Sequence, residues 1–68
     1  MTNWREKFRS VISRQIEEIG LKKEARLDKK LDDIYEKNFG RNEGHLRRMW
    51  LAEVKYQKEW YRTREIAS

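Results

Sequence analysis

The sequence has no cysteine and no proline, and its 68 residues include three glycines and one histidine. Without cysteine, disulfides and thiolate zinc sites are excluded. With His45 as the sole imidazole, neither a metal nor a cofactor is expected. The lack of proline, together with charged residues at 43%, favours long helices with solvated faces over a turn-rich sandwich. No apolar run approaches the length of a membrane span, and the N-terminus lacks the apolar core of a secretory signal, so a cytoplasmic protein is the expectation.

The constellations that carry chemistry are also missing. His45 stands alone ahead of a helix, and Ser10 and Ser13 have no base near them in sequence. Asp32, Asp33, Glu36 and Glu43 lack the alternation and the glycine of a calcium loop. Neither an enzyme nor a small-molecule substrate is expected.

The apolar residues that are present fall in regular stripes. Asn3 with Glu6 has the pattern of a capping box, and Trp4, Phe8, Val11, Ile12, Gln15, Ile16 and Ile19 then share an arc of about 140°. This predicts a first helix over about 4–19, stopped at Gly20 by a left-handed residue, with Leu21 folding back on Ile16 in a Schellman arrangement. A second helix is expected over about 22–38, with Leu27, Leu31, Ile34, Tyr35 and Asn38 on its apolar side. Gly40 and Gly44 frame a polar turn in which Asn42 would cap the third helix, over about 44–66. The fold class is therefore all-α, a single domain of residues 1–68 built as a three-helix unit. The rival is a helical hairpin whose long first arm bends at Gly20.

The third helix is unusual. At 100° per residue its apolar side chains cover an arc of roughly 200°, where a surface helix usually presents little over 100°. Leu46, Met49, Trp50, Ala52, Val54, Tyr56, Trp60 and Tyr61 lie on that arc, and Glu53, Gln57 and Arg64 sit close to its midline. Two seams are implied, one (Leu46, Trp50, Val54, Tyr61) against the first two helices and one (Met49, Tyr56, Trp60) against a partner. A chain this short buries a modest core alone, so oligomerisation or partner docking is expected. Tryptophan, tyrosine and arginine carry much interface energy, and Met49, Trp50, Tyr56, Trp60, Tyr61 and Arg64 are the candidate partner-binding residues. The expected function is protein–protein binding, as a regulator or adaptor that self-associates or docks on a larger complex.

Charge suggests an alternative. The net charge is +5, and residues 41–68 contribute +3 of it, from seven basic and four acidic groups. Arg47, Arg48, Lys55, Lys58 and Arg62 line the polar side of the third helix, and Lys22, Arg26, Lys29 and Lys30 flank the second. These nine are candidate nucleic-acid contacts, because phosphate binding requires clustered cations. No helix-turn-helix or zinc-finger signature accompanies them. Trp4 and Phe8 with Arg5, Lys7, Arg9 and Arg14 would also suit a membrane surface, but the same pattern describes a helix packed on a core, and no membrane partner is expected.

Overall fold

The computed structural model describes residues 3–41 and 44–67, with side chains described as far as Arg64. Three helices account for nearly all of it: α1 (Trp4–Ile19), α2 (Glu24–Phe39) and α3 (His45–Ala67). The chain is an all-α three-helix unit, and among the described residues no helix is long and apolar enough to cross a membrane.

The first helix starts where its cap dictates, with Asn3 Oδ1 accepting the Glu6 amide at 3.4 Å. It ends at Gly20, so the hairpin with a bent first arm does not form. The expected Schellman turn does not form either. The Gly20 N–H still donates to the Ile16 carbonyl at 2.8 Å, but φ 91° and ψ 153° turn the chain outward into a 3₁₀ turn over Leu21–Lys23. Gly40 ends α2 in a similar way, at φ 68° and ψ −153°, with its N–H on the Glu36 carbonyl.

Both glycines occupy a region of backbone space that is nearly closed to other residues. A Cβ on either would meet no neighbouring atom, so the cost of adding one is conformational. Gly20→Ala is expected to lower stability by roughly 1–3 kcal/mol in urea denaturation. A change within about 0.5 kcal/mol would mean that the turn has another accessible conformation.

The second helix buries Leu27, Leu31 and Tyr35, with Ile34 and Phe39 packed at the margin. Asn38, expected on this side, is exposed, and its Nδ2 donates to the Ile34 carbonyl at 2.8 Å. The inward position at this end of α2 is taken by Phe39, one residue beyond the expected helix end. An asparagine with a local backbone acceptor gains little from burial, whereas a phenylalanine ring gains a great deal. The expected cap Asn42 lies outside the described residues.

Interhelical contacts fix the directions. Arg5 and Arg9 meet Glu53, Ser13 meets Gln57, and Glu17 meets Tyr61, so α1 and α3 run parallel. Asp32 meets Arg47 while Asp28 and Glu24 meet Lys58, so α2 runs against α3. One end of the bundle is aromatic. Phe8 lies edge-on to Trp50 at 5.1 Å and to Phe39 at 5.5 Å, Tyr35 touches both Phe39 and Trp50, and Trp4 closes the rim against Phe39 at 5.3 Å. Ile12, Ile16, Leu27 and Leu31 continue the core as an aliphatic layer. At about 1.5 Å per residue, the 23 residues of α3 span most of the 36 Å long axis.

Candidate interaction surface

The α1/α3 contact is polar along its centre. Residues 5, 9, 13 and 17 form one four-residue row on α1, opposite residues 53, 57 and 61 of α3. Glu53 is 4% exposed, and its carboxylate meets Arg5 Nε at 3.4 Å and Arg9 Nε at 3.7 Å. Gln57, equally buried, accepts the Ser13 hydroxyl at 3.2 Å. The Tyr61 hydroxyl donates to Glu17 at 2.9 Å, and burial followed by this bond pushes its pKa up. Glu53, Gln57 and Tyr61 each have a hydrogen-bond partner on α1, while the second carboxylate oxygen of Glu53 is buried without a hydrogen bond and has only the Arg9 charge at 3.7 Å.

This row displaces the expected dividing line. Glu53 and Gln57 were expected to separate an inward seam from an outward one, yet they point inward themselves. Trp50, named among the candidate partner contacts, is 1% exposed and stands at the centre of the core, so its ring is closed to a partner. Met49 is half-buried rather than free, and Tyr61 is held by Glu17 and by a nearly perpendicular contact with the Trp60 ring. Leu46 and Val54 pack on the core, as the inward seam requires.

What remains outside is a narrower strip. Tyr56 is 53% exposed and Trp60 42%. Arg9 lies over the Tyr56 ring at 5.8 Å and Arg64 over the Trp60 ring at 4.5 Å. Two shallow depressions that share Tyr56 form a groove between α1 and α3, one with Arg5, Met49, Ala52 and Glu53 and the other with Arg9, Ser13, Gln57, Trp60 and Tyr61; a third, on α3 alone, continues from Tyr56 to Arg64. Arg5 and Arg9 had been read only as cations flanking an apolar helix. The available signal was their i, i+4 spacing beside that arc, matched by a glutamate inside the arc of α3.

No known protein family, curated protein or solved structure matches the chain. The case for function therefore rests on these residues themselves.

The nine candidate nucleic-acid contacts divide into two groups. Arg47 pairs with Asp32 at 2.9 Å and lies over the Tyr35 ring at 4.7 Å. Lys58 bridges Glu24 and Asp28, and Arg62 reaches Glu24 at 3.2 Å. The basic side of α3 is thus largely turned on the acidic side of α2. Arg48 and Lys55 on α3, Lys22 in the 3₁₀ turn, and Arg26, Lys29 and Lys30 on α2 are exposed and have no ion pair among the described residues.

These pairs make stability depend on pH. The hydrogen bond and charge of Lys58, helped by Arg62, hold the Glu24 carboxyl below the usual carboxylate range. Burial lowers the Lys58 pKa, but its bonds to Asp28 and Glu24 outweigh that and raise it overall. A depressed carboxyl binds fewer protons folded than unfolded, so its contribution is present at neutral pH and is lost as pH falls through the folded value. The raised lysine contributes below its ordinary range and loses that contribution as pH rises through its folded value. The urea midpoint is expected to fall between about pH 5 and pH 3 with a shallower slope in Lys58→Met. Parallel slopes in the two proteins would deny Lys58 this role.

Proposed function

We propose that this chain is a non-enzymatic binding protein, a regulator or adaptor, that docks on another protein through the groove between α1 and α3. One observation carries the reading: α3 keeps Tyr56 and Trp60 exposed side by side while Trp50 of the same helix is fully buried. Exposed aromatic surface of this kind, rimmed by arginine, is the composition of an interface centre.

Trp60→Ala and Tyr56→Ala are expected to keep helix content and cooperative unfolding, since both side chains project from the bundle. Each is expected to weaken association by about 2 kcal/mol, or roughly 30-fold. The test is to compare proteins retained by the wild type with those retained by Trp60→Ala, then to measure the affinity of any protein that is lost. Identical retention by both baits, or unfolding of Trp60→Ala, would overturn the reading.

A nucleic-acid role has one observation in its favour: Lys22 of the 3₁₀ turn and Arg26, Lys29 and Lys30 of α2 are exposed, with no ion pair among the described residues. Against it stands the engagement of Arg47, Lys58 and Arg62 by α2 carboxylates. Reversing these four charges would abolish a mobility shift on duplex or single-stranded probes if this reading held. No shift at low salt removes it.

A further inference from the structure

We infer that the occupant of the α1/α3 groove is an acidic amphipathic helix of another protein, laid along α3 from Met49 to Arg64. The inference rests on the docking role proposed above and adds the chemistry of the partner. Three features of the groove lead to it.

The first is shape. Met49, Ala52, Tyr56, Trp60 and Thr63 recur at spacings of three and four along α3, forming one ridge beside the parallel α1. Such a ridge fits a groove between the side-chain rows of another helix, and its length of about 21 Å matches about four helical turns. A helix placed there would join α1 and α3 as a further member of the bundle.

The second is charge. Arg5, Arg9 and Arg64 stand along the rim. Of the carboxylates lining the groove among the described residues, Glu53 is buried between Arg5 and Arg9, and Glu59 alone is exposed. The groove is thus apolar on its floor, and its three arginines outnumber its two glutamates by one, Arg5 and Arg9 sharing Glu53 while Arg64 has no ion pair among the described residues. Guanidinium groups pair with carboxylates in a fixed fork geometry, so acidic flanks on the incoming helix gain what neutral ones do not. A second copy of the chain would bring the same arginines face to face in a two-fold contact, which disfavours self-pairing here.

The third is the state of the rings. A single-stranded nucleic acid uses bare aromatic faces as stacking platforms. Here Arg9 lies over Tyr56, Arg64 lies over Trp60, and Trp60 and Tyr61 are nearly perpendicular with their centroids 4.9 Å apart. With a guanidinium over each ring, the strip offers less bare stacking area than a platform for bases and keeps an apolar floor for a helix.

The test is a displayed library of helical peptides with leucine and phenylalanine fixed at i, i+3, i+4 and i+7, and Glu, Lys, Gln or Ser at the flanking positions. Selection is on the full chain, with Trp60→Ala and Arg64→Glu as counter-targets. The enriched pool is expected to be acidic at its flanks and to bind about tenfold more weakly to Arg64→Glu. Binding to Trp60→Ala is expected to be lost. Binders with neutral or basic flanks that still need Trp60 would overturn the acidic partner while leaving the docking groove in place. Enrichment indifferent to Trp60, or none, would overturn both. A dimer by light scattering that Trp60→Ala dissociates would make a second copy the occupant. An oligothymidylate that displaces the selected peptides would make it a nucleic acid.

Discussion

Trp50→Ala is expected to abolish cooperative folding. The side chain is 1% exposed and touches Phe8 at 5.1 Å and Tyr35 at 5.5 Å, which joins all three helices through one ring. Truncating a buried tryptophan costs about 3–5 kcal/mol, through lost transfer energy and the cavity left behind. A domain of this length has a total stability of roughly 3–10 kcal/mol, so the loss consumes most of it. Thermal denaturation followed by circular dichroism should show a broad, weak transition from reduced helix content. A sharp melt within a few degrees of the wild type would mean that α1 and α2 hold the core without α3. Trp50→Phe is the control. It keeps a ring in the same place and removes an indole N–H that is buried with no hydrogen-bond partner, so it is expected to unfold cooperatively.

The second large effect is at Glu53, and its sign depends on which partner is removed. Arg5→Ala combined with Arg9→Ala leaves a carboxylate in a 4%-exposed residue with no counter-charge. The arginine side chains are 70% and 49% exposed, so their direct attraction is screened, and the penalty falls mainly on the desolvated glutamate. The double variant is expected to lose about 2–4 kcal/mol in urea denaturation. Glu53→Leu removes the charge and adds apolar burial, and it is expected to be neutral or stabilising by up to about 2 kcal/mol. The triple variant should then recover most of the loss, a coupling that independent surface substitutions would not give. A double variant within about 0.5 kcal/mol of the wild type would show that Glu53 reaches water without its arginines.

The helices themselves were legible because their signals are local. Asn3 caps α1, Gly20 and Gly40 end α1 and α2, and Phe8, Ile12, Ile16, Leu27, Leu31 and Tyr35 recur at helical spacing and are buried. Each is a property of a residue and its neighbours within one or two turns, which a sequence states directly. The exit from Gly20 was not legible: a glycine permits several positive-φ conformations, and the packing of the 3₁₀ turn selects one.

The division of α3 into faces was legible only in part. Its width predicted two seams; Leu46, Trp50 and Val54 pack in the core, and Tyr56 and Trp60 stay exposed. Periodicity, however, ranks positions by polarity, and it placed Glu53 and Gln57 at a boundary. They are inside because α1 lies parallel to α3 and offers Arg5, Arg9 and Ser13 at the matching heights. The basic stripe has the same history. Arg47, Lys58 and Arg62 look like a free field until α2 runs antiparallel beside them and presents Asp32, Asp28 and Glu24.

The sequence by itself determined three helices, the cap that starts the first, the glycines that end the first two, the hydrophobic positions of those two, and an aromatic surplus on the third. Tertiary structure alone decided which polar groups are buried, which cations are neutralised and which aromatic rings face outward. The physical reason is that helix formation and capping depend on nearest neighbours along the chain. The burial of a charge depends on a counter-charge delivered by another helix, and only the relative direction and height of the helices fix where that counter-charge stands.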